Sequence, residues 1–156
     1  MKKLALFTLV LLLLAGCEKK DELGPYVEQI KPLERYHQTF VQYRKYLASE
    51  ETEEKAYDLR KVVENYKADL KKIPRPKDKK VGSQHNAILR VLDQRILRRL
   101  SDPQDNTIPG QFILDGRNRI RDIEEFITTS YYANLEKLWR DSDQTEPFPL
   151  KWPEGE

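Results

Sequence analysis

Residues 53–73, EEKAYDLRKVVENYKADLKKI, carry the clearest helical pattern in this chain of 156 residues. Their apolar side chains recur at alternating intervals of three and four positions: Ala56, Leu59, Val63, Tyr66, Leu70 and Ile73. An α-helix places residues with this spacing on one face. Because most of the other positions are polar or charged, the pattern predicts an amphipathic helix with one face on a hydrophobic core.

The same spacing, together with capping and helix-breaking residues, predicts three further helices, at about 25–48, 83–100 and 111–141, with a loop at 101–110. The apolar stripe of the first helix begins at Val27, and that of the last ends with Tyr131, Leu135 and Leu138. The first helix begins near Pro25 or near Pro32, and in the former case Pro32 is expected to kink it. Ser49 and Ser83 are the expected N-caps of the second and third helices. The sequence therefore predicts an all-α fold, an antiparallel bundle of about four helices that forms one domain over residues 25–141.

The C-terminal segment, residues 142–156, is predicted to be an extended, Pro-rich tail because its prolines forbid helix. Phe148, Leu150 and Trp152 alternate along it, so an extended chain would present all three on one side. These three side chains either dock on the chain's own bundle or form an exposed peptide that binds a groove on a partner. Disorder of the tail is the third alternative.

The N-terminal segment begins with two lysines, continues with an apolar block from Leu4 to Leu14, and reaches the only cysteine, Cys17, after Ala15 and Gly16. This is the plan of a secretory signal peptide, and the apolar block is too short to span a bilayer. With Leu14, Ala15 and Gly16 as a lipobox, the segment resembles that of a bacterial lipoprotein precursor. The resemblance implies a signal peptide at 1–16, a lipid on Cys17 and a short tether over 17–24.

The residue after the cysteine bears on the location. In Gram-negative lipoproteins an aspartate at this position tends to retain the protein in the inner membrane, whereas this chain has Glu18. The resemblance therefore implies the periplasmic face of the outer membrane, with the inner membrane and a Gram-positive cell surface as alternatives.

Charge argues against nucleic acid as a partner. Removing the predicted signal removes Lys2 and Lys3, so 26 of the 28 basic residues remain against 26 acidic ones, and the mature chain is formally neutral. The remaining bases cluster in two groups, an arginine group at 90–99 and 117–121 and a mainly lysine group at 71–80. Such groups contact anionic lipid headgroups, bind an acidic partner, or form a solvated face paired with glutamates.

No catalytic residue is predicted, because the only thiol is assigned to the lipid and the sequence contains neither a nucleophile motif nor a glycine-rich phosphate loop. His37 and His85 both lie on or near apolar stripes. Together they are the weak candidates for a metal or haem site, although Glu34-x-x-His37 lacks the second motif that di-iron bundles need. The simpler interpretation is two hydrogen-bonded core histidines.

These observations predict a lipid-anchored cell-envelope protein that is not an enzyme and needs no cofactor. Its expected partners are the membrane, through Cys17, and another envelope protein, which it binds or helps to assemble. Small helical lipoproteins that assist secretion or pilus machines are similar in size and layout. The alternative function is a periplasmic metal or haem binder that uses His37 and His85.

Overall fold

The computed structural model describes residues 21–46, 53–100, 111–142 and 144–153, with only the backbone at 53–57 and 111–113. Over these residues the chain forms helices and no strand, which confirms the predicted all-α class and the number of about four helices. We call the four continuous helical pieces rods one to four. Cys17 and the rest of the predicted signal, the 101–110 loop and Ser49 lie outside the described residues.

Rod one consists of α1 (Leu23–Ile30), a 3-10 turn (Lys31–Leu33) and α2 (Glu34–Tyr46). Pro32 lies in the 3-10 turn, where the α-helical hydrogen-bond pattern is interrupted. The Asp21 carboxylate accepts a hydrogen bond from the Leu23 amide at 3.0 Å. The helix begins at Leu23, so it includes the last two residues of the predicted tether.

Rod two is a single helix, α3 (Glu53–Lys72), over the stretch with the clearest pattern. Leu59, Val63, Tyr66 and Leu70 are all buried, as their spacing predicts, and Ile73 is half-buried just beyond the helix. Between rods two and three the chain passes through Pro74 and Pro76 without helical structure.

Rod three consists of α4 (Lys79–Arg90), a π-helical turn (Val91–Ile96) and a 3-10 turn (Leu97–Arg99). The prediction that Ser83 caps this rod is wrong. The Asp78 carboxylate is the cap, since it accepts hydrogen bonds from the amides of Lys80 at 2.8 Å and Val81 at 3.0 Å. Gly82 then lies inside the helix, where a Cβ atom would stand 2.5 Å from the Pro76 carbonyl oxygen.

Rod four consists of α5 (Gln111–Phe126), a π-helical turn (Ile127–Tyr132) and α6 (Ala133–Arg140). A π turn contains more residues than an α turn, so positions four and five after Ile127 both face the core. Tyr131 and Tyr132 are accordingly both buried. Beyond the π turn the buried face includes Trp139, whereas Leu138, which the α-helical spacing selects, is only half-buried.

The four rods enclose one hydrophobic core. Rod two contacts rods one, three and four, and rod four contacts rods one and three. Among the described residues the largest fully buried side chains are aromatic or branched aliphatic: Tyr26, Tyr66, Tyr131, Phe40, Leu59, Leu70, Ile88, Leu92, Ile96, Ile120 and Ile123. Three of these are tyrosines, so hydroxyl groups enter the core and must find partners there.

Candidate functional site

A cluster of histidine and tyrosine side chains occupies the centre of the bundle. His37 and His85 are the buried polar residues of the described chain, at 1% and 3% exposure. Four tyrosines surround them, one from each of rods one and two and two from the π turn of rod four: Tyr26, Tyr66, Tyr131 and Tyr132. We call these six residues the His–Tyr cluster.

His85 belongs to one half of the His–Tyr cluster. The Tyr26 hydroxyl lies 2.7 Å from the Tyr131 hydroxyl and 3.3 Å from Nδ1 of His85. The rings of Tyr26 and His85 meet edge to face, with their centroids 5.8 Å apart. Tyr26 thus links rod three to rod four through a single hydroxyl group.

His37 belongs to the other half. Its Nε2 lies 3.1 Å from the Tyr66 hydroxyl, and its Nδ1 lies 3.2 Å from the Tyr132 hydroxyl. A neutral imidazole offers one donor and one acceptor, so one tyrosine accepts a hydrogen bond and the other donates one. Both ring nitrogens of His37 are therefore engaged with tyrosines of rods two and four.

Burial keeps the His–Tyr cluster uncharged. It lowers the pKa of His37 to about 3, and burial followed by the nearby Arg75 charge lowers the pKa of His85. Burial likewise raises the pKa of Tyr26, Tyr66, Tyr131 and Tyr132. The lowered histidine pKa values and the raised tyrosine pKa values both favour the neutral forms, so at neutral pH the cluster is a set of neutral hydrogen bonds.

The two residues of the Glu-x-x-His motif, Glu34 and His37, bond to different parts of the molecule. A Glu34 carboxylate oxygen accepts a hydrogen bond from the Lys151 amide at 3.0 Å, while His37 faces the tyrosines. To bind a metal ion, His37 would have to give up a tyrosine partner. Over the described ranges, no three or more His, Cys, Asp or Glu side chains come together as possible metal ligands.

The three alternating tail residues lie against the bundle. Leu150 is buried at 3% exposure, while Phe148 and Trp152 are half-buried and pack on the core. The Trp152 ring stacks on His37 with centroids 4.9 Å apart and an interplanar angle of 23°. Phe148 meets Trp139 edge to face. Residues 144–153 thus cover one side of the His–Tyr cluster.

Two hydrogen bonds hold the first residues of the tail. The Trp139 indole N–H donates to the Glu146 carbonyl at 2.7 Å. The Gln144 side-chain amide donates to the Asp21 carboxylate at 2.6 Å, which joins the start of the tail to the start of rod one. The described N-terminal end and the tail therefore meet at one end of the molecule.

Two members of the arginine group, Arg95 and Arg119, come together in the structure. The Arg119 guanidinium donates to the Arg95 carbonyl at 3.4 Å, and both arginines lie near the Asp122 carboxylate. Asp122 neutralises part of the local charge. In the lysine group, Lys72 pairs with Asp69 at 2.6 Å.

Tyr26 and Tyr132 are the cluster members that the sequence pattern did not single out. Tyr26 precedes the apolar stripe that begins at Val27, and Tyr132 faces inward because of the π turn. The sequence signal that could have found them is a tyrosine directly beside a residue of the apolar stripe: Tyr26 beside Val27, and Tyr132 beside Tyr131.

No protein-family model, curated protein or solved structure matches this chain. In the portion of the chain that the structure describes, every helix is too short or too polar to span a bilayer.

Proposed function

We propose that this chain is a lipid-anchored protein of the cell envelope, held by Cys17 on the periplasmic face of the outer membrane. Its helical domain binds another envelope macromolecule, or assists its assembly, without catalysing a reaction. The lipobox pattern before Cys17 supports the lipid anchor. The contacts of residues 21–22 with the bundle support a position of the domain close to that anchor.

Those contacts begin four positions after Cys17. The Asp21 carboxylate bonds to the Leu23 amide and to the Gln144 side chain, and the Glu22 carboxylate accepts from the Asp78 amide at 2.7 Å. Four extended residues reach at most about 14 Å. A lipid on Cys17 would therefore hold this end of the bundle beside the membrane, as expected for a protein that works at the membrane surface.

The polar groups of the domain bond to or pair with one another, which favours a binding function over a catalytic one. The hydroxyl and imidazole groups of the His–Tyr cluster bond to one another in the core. A surface cleft of about 430 Å³ is lined by charged residues. Four of these residues pair within it, Arg60 with Glu64 and Lys67 with Asp93. The engagement of both His37 nitrogens also makes metal or haem binding by His37 and His85 the weaker alternative.

We infer that neighbouring rods run antiparallel. The support comes from interacting residues whose residue numbers rise along one rod and fall along its neighbour. Between rods one and two these pairs are Tyr36–Asp69 and Tyr43–Asp58. Between rods two and three they are Lys67–Asp93 and Arg60–Leu100, and between rods three and four they are Gln84–Asn134 and Arg95–Arg119.

The anchor is tested by substituting the cysteine. Cys17→Ser should abolish incorporation of radiolabelled acyl chains and leave an unprocessed precursor, while the circular dichroism of the chain stays helical. Separation of inner and outer membranes should place the wild-type protein with the outer membrane. Acyl label on the serine variant would contradict the proposal, because the lipid would then be attached elsewhere.

Partner binding by Phe148, Leu150 and Trp152 requires the tail to leave the bundle, since these side chains pack on it. In crosslinked envelopes a tagged wild-type chain should capture a specific envelope protein. A chain that lacks residues 142–156 should not capture it, while Thr145→Ser, a conservative change at an exposed position, should. Capture of the same protein after the deletion would exclude the tail as the binding segment.

A further inference from the structure

The segment Pro74–Lys80, which we call the basic loop, lies at the same end of the molecule as the start of rod one. The Asp78 amide donates to the Glu22 carboxylate, and a cleft of about 380 Å³ lies between the two segments. Its lining includes Asp21 and Glu22 on one side and Pro74, Arg75 and Lys77 on the other. The basic loop is thus bonded to a residue five positions after Cys17.

Four basic side chains of the basic loop are exposed: Arg75, Lys77, Lys79 and Lys80. None of the four forms an ion pair with another described residue. Over residues 69–80 the sequence holds six basic and two acidic residues. The connection between rods two and three therefore carries a net positive charge.

The hydrogen bonds that the structure describes for the nearby acidic residues go to neutral groups. Asp78 caps α4, Glu22 accepts from a backbone amide, and Asp21 accepts from a backbone amide and a glutamine side chain. Asp141 lies at the same end, in a cleft that Lys80 also lines. These carboxylates reduce the positive potential without holding the lysines in place.

Helix stability does not account for the position of the lysines. Lys79 and Lys80 occupy the first turn of α4, where the helix dipole disfavours positive charge. Pro74 and Pro76 restrict the backbone that presents Arg75 and Lys77. The chain thus displays Arg75 and Lys77 on a restrained loop and Lys79 and Lys80 in the first turn of α4, where positive charge weakens rather than strengthens the helix.

We propose that the basic loop is a contact surface for anionic lipid headgroups, an inference that rests on the proposed lipid on Cys17. The anchor keeps the loop within reach of the bilayer, and the surface potential of an anionic leaflet attracts basic residues within roughly a Debye length, about 10 Å. Contact through the loop would add to the anchor and orient the bundle, with the C-terminal end of rod three facing away from the membrane.

The test uses the lipidated chain in nanodiscs of neutral phosphatidylcholine and in nanodiscs that also contain anionic phosphatidylglycerol. The mass of the N-terminal peptide establishes the lipid on Cys17 first. In anionic nanodiscs we expect amide hydrogen exchange at residues 75–80 to slow by about tenfold, and we expect high salt to remove the effect.

A matched pair of triple variants tests the charges. Lys77→Gln/Lys79→Gln/Lys80→Gln should lose the slowing. Lys45→Gln/Lys61→Gln/Arg99→Gln removes the same charge from exposed positions on other parts of the bundle and should keep it. Both variants leave the Asp78 cap and the buried core unchanged.

The remaining outcomes separate the two proposals. Equal exchange in neutral and anionic nanodiscs, with the lipid present, would overturn the headgroup surface and leave the anchor intact. Absence of the lipid mass would overturn both. Slowing by soluble polyglutamate but not by anionic nanodiscs would assign the basic loop to an acidic protein, which also overturns the lipid surface.

Discussion

His37 occupies a position in which every polar atom of its side chain has a partner from another rod. Tyr66 and Tyr132 bond to its two nitrogens, and Trp152 covers its ring. A protonated imidazole would have two donors and no acceptor, so the tyrosine that donates to the neutral ring would have to turn its hydroxyl proton elsewhere, and the buried charge would lose its hydration. The neutral ring is therefore part of the folded structure.

Acid should weaken the fold through this residue. The pKa of His37 is about 3 in the folded chain and 6.5 when unfolded, so the unfolded state binds the additional proton as the pH falls below 6.5. Urea unfolding should show a loss of about 2 kcal/mol from His37 between pH 7 and pH 5. His85 acts in the same direction, because burial and then the nearby Arg75 charge lower its pKa.

The variant His37→Gln isolates this effect. It should be less stable than the wild type at pH 7 but should lose less stability on going to pH 5, because only His85 then titrates in this range. If the wild type and His37→Gln show the same change with pH, His37 protonates in the folded chain as readily as in the unfolded chain.

Tyr26 provides the second prediction at this scale. Tyr26→Phe removes one oxygen and leaves the Tyr131 hydroxyl and His85 Nδ1 without that partner in the core. The free energy of unfolding should fall by about 1–3 kcal/mol. Tyr43→Phe, at a half-buried tyrosine, should change it by less than about 0.5 kcal/mol. Equal effects of the two changes would contradict the role of the Tyr26 hydroxyl.

At the scale of the elements, spacing of three and four residues identified the rods because it reflects the period of the α-helix. The same rule selected Leu138 over Trp139 and omitted Tyr132, since a π turn shifts the buried face by one residue. Neither π turn was predicted, because no residue type marks one as proline marks a kink. The cap was misassigned because Asp78 lies in a segment whose prolines and lysines indicate a loop.

The cap of α4 can be tested by a direct comparison. Asp78→Ala should lower the free energy of unfolding by about 1 kcal/mol, because it removes the acceptor for two amides in the first turn. Ser83→Ala should change it by less than about 0.5 kcal/mol, since the exposed Ser83 hydroxyl donates to the Lys80 carbonyl and accepts from the Gln84 side-chain amide instead of capping the first turn. A larger loss from Ser83→Ala would restore serine as the cap.

At the scale of the whole molecule, the fold class and the approximate number of helices could be predicted, whereas the His–Tyr cluster could not. Its bonds join residues 29 to 105 positions apart, and helical spacing carries no information about which faces meet. His37 and His85 were recognised as inward-facing by their position near apolar stripes. Their tyrosine partners became evident only from the packing of the rods.

The tail is part of this packing, and Leu150 should show it. Leu150→Ala should lower the free energy of unfolding by about 2 kcal/mol, because the side chain is buried against the bundle. Thr145→Ala, an exposed change in the same segment, should have an effect below about 0.5 kcal/mol. A Leu150→Ala chain as stable as the wild type would mean that the tail adds nothing to the fold.

The seam between the tail and the bundle contains both tryptophans of the chain, Trp139 and Trp152. One indole bonds to a tail carbonyl, and the other stacks on an imidazole. Tryptophan fluorescence therefore originates entirely at this seam. Undocking would expose Trp152 to water and red-shift its emission without a substituted or attached dye. The unaltered chain thus carries an optical reporter that can follow capture of the tail by a partner in real time.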